Sequence, residues 1–295
     1  MGSGRWNSGT WDTYSASACT MSANELYRSR SVQQAYDTKV IKMRESRDSA
    51  DNPNSTPIII GLDVTGSMGR LAVDLAKTGL GVTIQELYDR KPVTDPHVMI
   101  MAIGDACYDQ APLQATQFEA DNRLVEQLTG LYLESGGGGN RFESYDLPWI
   151  FASRLTSVDA FDKRGVKGYC ITMGDELPPE HRGYTKAELA KVFGEDLCGQ
   201  LTMPPAEALA EARQKYNVFH LIIKQGSFCQ GSFGRVKAEW RELMGNRAII
   251  VEDIRFIPQI IISLIQVNEG AEPEDVIGSW QDSEIGAAVR TALFE

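Results

Sequence analysis

The chain has 295 residues and a formal net charge of −11. That balance excludes a general nucleic-acid or anionic-membrane surface, which would draw on Lys and Arg, although a local basic patch stays open. The length is sufficient for a full hydrophobic core without structural metal, and the five scattered cysteines (Cys19, Cys107, Cys170, Cys198 and Cys229) form no CxxC pair, as expected of a protein kept in a reducing cytoplasm.

The N-terminus "MGSGRWNSGTW" lacks the basic start and apolar run of a signal peptide, and no apolar stretch reaches membrane-spanning length. Residues 1–56 are rich in Ser, Asn, Thr and charge, with isolated aromatics at Trp6, Trp11, Tyr14, Tyr27 and Tyr36. This reads as an N-terminal extension, either poorly ordered or anchored on a partner or on its own domain.

From Pro57 the pattern changes to short apolar strands alternating with amphipathic helices. "PIIIGLD" is a β-branched run of the kind buried on both faces of a parallel sheet. "RLAVDLAKTGLGVTIQELYDR" predicts one helix, with Leu71, Leu75, Leu80 and Ile84 toward the core. "HVMIMAIGD" is the next strand, and "LQATQFEAD" returns as an antiparallel edge strand after the turn at Ala111 and Pro112.

The helix "NRLVEQLTGLYL" then leads into the glycine-rich "GGGGN" and a further helix. The strand "VKGYCITMGDE" ends in acids and places Cys170 as a small buried hydrophobe. Helix "PPAEALAEARQKY", strand "NVFHLIIK", helix "GRVKAEWRELMG", strand "RAIIVED" and helix "IPQIIISLIQVNE" complete the series, with the last helix buried in the core. His97 and His220, at or in strands, read as packing residues. The expectation is a doubly wound α/β domain over 57–268, with a mostly parallel central sheet, one antiparallel edge strand and helices on both faces. Residues 269–295 read as a tail with a short helix.

In such a sheet, ligands bind at the carboxyl ends of the strands. Asp63, Asp105 and Asp175 each end an apolar strand and would share that rim. Clustered acids repel unless a cation or proton compensates. Thr65 and Ser67 add neutral oxygens on the same turn, and such hard donors suit Mg2+, with Mn2+ or Ca2+ as alternatives. A second reading has Thr65 or Ser67 capping the following helix while Asp63 accepts amides of the turn. Asp105 and Asp109 of "GDACYD" form either an adjacent cation site or a solvated turn.

"DVTGS" at 63–67, with this order of elements, resembles the metal-ion-dependent adhesion site of von Willebrand factor A domains, of the intracellular type found in bacteria and phages. The resemblance spans about residues 57 to 268. It implies divalent-metal-dependent recognition of an acidic group on a partner protein, with Asp63, Thr65, Ser67 and Asp175 as ligands. It also implies an AAA+ ATPase as a partner. The pattern departs from the family in having Gly139 in place of a threonine ligand and Met173 in place of an aspartate, so Asn140 and Glu143 are the residues that fill in. Extensions at both ends leave room for self-association.

"DVTGSM" also resembles the aspartyl-phosphate motif of haloacid-dehalogenase-like phosphotransferases, in which Asp63 would be the nucleophile and Asp175 would hold Mg2+. Against it, Val64 replaces the lysine of that motif, and no second aspartate follows Asp63 at a spacing of two. "TGSMG" is not a nucleophile elbow and "GGGGN" is not a phosphate-binding P-loop.

Overall fold

The computed structural model describes residues 29–68, 70–75, 79–132, 142–194, 197 and 202–295, with a few positions nearer the N-terminus, among them Gly4, Trp6 and Asn7. Gly139, Asn140, Cys19 and Cys198 lie outside the described residues.

In chain order, β1 (Arg44–Ser46) and β2 (Thr56–Asp63) precede α1 (Arg70–Asp74) and α2 (Leu80–Arg90). The hairpin of β3 (Pro96–Ile103) and β4 (Leu113–Ala115) comes next, followed by α3 (Arg123–Thr129) and α4 (Leu147–Arg154). Then come β5 (Thr156–Val158), α5 (Asp159–Arg164), β6 (Gly168–Gly174), β7 (Tyr184–Thr185), α6 (Lys186–Phe193), β8 (Thr202–Met203) and α7 (Pro205–Lys215). The last elements are β9 (Tyr216–Ile223), α8 (Ser227–Met244), β10 (Ala248–Val251), α9 (Ile257–Asn268), α10 (Pro273–Gly278) and α11 (Ser283–Phe294).

Six strands form one sheet in the order β10-β9-β6-β2-β3-β4, with only β4 antiparallel to its neighbour. This is the doubly wound α/β architecture that the strand pattern predicts. The order reverses about β2, which pairs with β3 on one side and β6 on the other. All eight residues of β2 and of β3 are buried, because helices cover both faces. Strand alternation divides the core in two. Ile58, Ile60 and Leu62 pack with Leu80, Ile84 and Leu87 of α2 and the isoleucines of α9. Ile59 points the other way, toward Trp149, Phe151, Leu209 and Trp240. Each such side chain contributes about 1.5–3 kcal/mol of burial.

Two features depart from the sequence expectation, in the helix after β2 and at the C-terminus, and a third, at the N-terminus, follows one of its alternatives. The predicted long helix after β2 is present as α1 and α2, with 76–78 outside the described residues, although Leu75, Leu80 and Ile84 face the core as expected. Part of the N-terminal extension is docked: β1 pairs in parallel with β5, and the Thr38 hydroxyl donates to the carbonyls of Leu113 and Val192. The C-terminal residues form two helices, and Val289, Ala292 and Trp280 join the core cluster with α9, the Trp280 indole N–H donating to the Ser263 hydroxyl at 2.9 Å. Asp282 caps α11 through the amides of Glu284 and Ile285. Among the described residues, no helix is long and apolar enough to cross a membrane.

Candidate metal site

Strands β2 and β6 are neighbours, so their carboxyl ends bring Asp63 beside the segment after Gly174. The β2 turn places Thr65 and Ser67 over the gap, and a chain of hydrogen bonds closes it. The Thr65 amide and hydroxyl donate to Asp63 Oδ1 at 2.9 and 2.6 Å, Thr65 Oγ1 and Ser67 Oγ are 3.3 Å apart, and the Ser67 hydroxyl donates to Asp175 Oδ1 at 2.7 Å. Four of the residues expected from sequence are thus brought together. Asp63 does accept an amide of its own turn, but both hydroxyls donate to carboxylates.

Two supports escaped the sequence reading. The Tyr145 hydroxyl donates to Asp63 Oδ2 at 2.6 Å, so both oxygens of Asp63 are engaged. The N-terminus of α8 supplies the Phe228 amide to Asp175 Oδ2 at 2.9 Å, a favourable place for a carboxylate. Helix α8 starts at Ser227, well before the predicted "GRVKAEWRELMG", and bends at Ser232. Both approaches require glycine. A Cβ on Gly226 would lie 2.1 Å from Asp175 Cβ, and one on Gly174 would lie 2.1 Å from the Tyr145 hydroxyl. Tyr145 is also braced edge-on by His220 and Trp240, which stack on each other with ring centroids 3.5 Å apart.

Glu143 and Glu176 complete the locality. Each is buried and keeps one oxygen, Oε2, without a hydrogen-bond partner among the described residues. "GDE" carried Glu176 in plain sight, but its period gave no sign of which way the side chain turns. Asp105 is also buried; its Oδ1 accepts the Cys107 amide at 2.6 Å, and its amide donates to Asp109 Oδ2 at 2.8 Å, so this pair braces the hairpin turn. Asp105 belongs to the locality through its charge, which acts on Glu143 and Glu176.

Electrostatics describe a site short of positive charge. Burial pushes Asp63 up to about 7, against the hydroxyls of Thr65 and Tyr145 and helped by Asp175. Burial, then the charges of Asp63 and Asp175, raise Glu176 to about 8. Burial, Asp63 and Glu176 raise Glu143 to about 11. Asp175 is raised by burial despite its bonds from Ser67 and α8. Among the described residues, no Lys or Arg is paired with any of these four acids.

A hard divalent cation fits this donor set: the oxygens of Asp63, Asp175, Thr65 and Ser67 are of the right type, and the orphaned oxygens of Glu143 and Glu176 lack a countercharge. No group of three or more His, Cys, Asp or Glu side chains converges as a ready metal cluster among the described residues. The set that does converge is half hydroxyl. His97 and His220 stand apart, hydrogen-bonded to Ser46 and Thr172.

No protein-family model and no curated protein matches the chain. Among solved structures, it is similar to the pilus adhesin SpaC from Lactobacillus rhamnosus GG in its open conformation, with 10% identity over 80% of this chain and 31% of the adhesin chain, TM-score 0.46. It is also similar to a von Willebrand factor type A protein from Catenulispora acidiphila, with 15% identity over 74% of this chain and 44% of that one, TM-score 0.39. The chain spans about a third of the adhesin and under half of the second protein. These similarities are distant, and neither ligand nor activity is carried from them.

Proposed function

We propose that the protein is a non-catalytic recognition module that takes up a divalent cation, Mg2+ or else Mn2+ or Ca2+, and uses it to bind an acidic group of a protein partner. The observation that carries this reading is the bonded series Asp63, Thr65, Ser67 and Asp175 across the carboxyl ends of β2 and β6, with Asp63, Thr65 and Asp175 buried and neither aspartate paired with a base among the described residues. These four residues would hold the cation, with Glu143 beside them. Bound there, the cation supplies a Lewis-acidic position for a carboxylate.

The residues of the chain supply the rest. Tyr145 and the N-terminus of α8 fix the two aspartates in place, and the surrounding core keeps water from competing with them. The negative protein gains from such a device, since a cation turns local repulsion into a directional contact with an acidic partner. The family resemblance implies an AAA+ ATPase as a partner, the extensions at both ends leave room for a second copy of the chain, and the scattered cysteines suit a cytoplasmic setting.

The phosphotransferase reading requires Asp63 to attack phosphorus. Complete burial of Asp63, with Thr65 on one oxygen and Tyr145 on the other, weighs against a nucleophile. One pair of assays separates the readings. A glutamate-bearing peptide should bind only when Mg2+ is present and not at all to Asp63→Ala, and ATP or aryl phosphate should release no phosphate. Phosphate release that disappears in Asp63→Asn would overturn the binding reading.

A further inference from the structure

A second cavity lies beside the metal locality, between the β3–β4 turn, the segment leading into α4 and the residues before β7. Its volume is about 210 Å3. That is several times the roughly 30 Å3 of a liquid water and below the roughly 300 Å3 at which small-molecule sites begin. The size suits one side-chain head group.

Its lining is unusual in chemistry. Asp146 is fully buried at the N-cap position of α4; its Oδ1 accepts the Tyr184 hydroxyl at 2.9 Å, while Oδ2 has no partner among the described residues. Glu143, only 4% exposed, lines the cavity from the same segment and has an Oε2 without a partner among the described residues. Two buried carboxylates, each with one unsatisfied oxygen, therefore line one small cavity. Aromatic side chains line it too: Tyr184, Phe142 and Tyr108, the last 62% exposed. Arg182 also lines the space, but its guanidinium already bonds Glu188, Glu180 and the Gly183 carbonyl. Unsatisfied buried carboxylates are costly, and aromatic faces attract cations.

We propose that this cavity is a binding site for an organic cation, a guanidinium or primary ammonium head, seated on Asp146 and Glu143 and flanked by Tyr184, Phe142 and Tyr108. Burial holds the Asp146 carboxyl above its usual range, at about 7, and an incoming cation would offset that penalty. Glu143 is shared with the proposed metal locality and Asp146 is not, so a variant at Asp146 separates the two sites.

The test is calorimetric titration of the full chain with a blocked Gly-Arg-Gly peptide, the same peptide carrying citrulline in place of arginine, methylguanidinium and butylammonium. The arginine peptide should saturate, and its neutral isostere should not. Asp146→Asn should weaken binding at least tenfold while leaving Mg2+ binding intact. Tyr108→Ala, at an exposed position that cannot unfold the core, should weaken it about threefold. Tighter binding of the peptide than of the small cations assigns the source to a partner's side chain, and equal binding assigns it to a free amine. Equal affinity for arginine and citrulline peptides, no saturation by any of the four, or affinity unchanged in both variants would overturn the proposal.

Discussion

Asp63 and Asp159 are both aspartates with almost no exposure, yet the fold treats them in opposite ways. Asp159, at the start of α5, is ion-paired with Lys163 at 2.6 Å and Arg47 at 2.8 Å and accepts the Asp48 amide; burial raises its carboxyl, but these partners outweigh it and hold it at about 2. Among the described residues Asp63 is bonded by two hydroxyls and one amide, and burial leaves it at about 7. This chain can bring bases to a buried acid where the acid fastens the N-terminal extension to the body. At the carboxyl ends of β2 and β6 no Lys or Arg among the described residues is paired with Asp63 or Asp175, and a cation would supply that charge.

The comparison can be broken most severely at Asp63 itself. Asp63→Ala should reduce Mg2+ affinity about 100-fold or more, as expected from removing a ligand. Calorimetry of the stripped variant checks this, and retained affinity would place the cation elsewhere.

The same change of chemistry should then have unequal effects at the two places. Asp159→Asn removes the carboxylate that Arg47 and Lys163 share, leaving them Glu45 and Asp48, and should destabilise the protein by about 1.5–3 kcal/mol. Asp63→Asn, measured in chelator, should cost less than about 1 kcal/mol, because an amide replaces a carboxyl that already favours its neutral form. Urea unfolding of both variants reads the difference.

The pH response should differ in sign. Asp63 and Glu176 bind protons more tightly folded than unfolded, so the stability they contribute is full below about pH 4 and is lost as pH rises through about 7 to 8. Asp159 binds its proton less tightly when folded, so its contribution is present above about pH 4 and is lost toward pH 2. Melting temperature in chelator should fall between pH 5 and pH 8, and saturating Mg2+ should flatten that fall. Tyr145→Phe should have the smallest effect on the metal. Losing its hydrogen bonds with Asp63 and the Glu176 amide should cost about 1 kcal/mol in denaturant and shift Mg2+ affinity less than tenfold.

What the sequence conveyed was local. Runs such as "PIIIGLD" and "HVMIMAIGD" are continuous and β-branched because their strands are covered on both faces, so they announce a parallel sheet and fix where Asp63 and Asp105 fall. The spacing within "DVTGS" is set by one turn, and it correctly groups Thr65 and Ser67 with Asp63. What stayed hidden depends on contacts distant in sequence. Pairing of Arg44–Ser46 with Thr156–Val158 leaves no period in either segment. The start of α8 at Ser227 lies in the glycine-bearing "GSFCQGSFG", a poor helix former by itself, and it docks through the Phe228 amide on Asp175 and the Ser227 amide on the Ser67 carbonyl. Tyr145 reaches Asp63 from 82 positions away, which no window on the sequence could reveal.

The central claim is that the acids at the carboxyl ends of β2 and β6, which have no basic partner among the described residues, are a cation site, and titration calorimetry of Mg2+, Mn2+ and Ca2+ into chelator-stripped protein tests it most directly. The account predicts saturable binding at one site, lost in Asp63→Ala and in Asp175→Ala and unchanged in Asp159→Asn. Absence of binding by all three ions, or binding that both site variants retain, would contradict it.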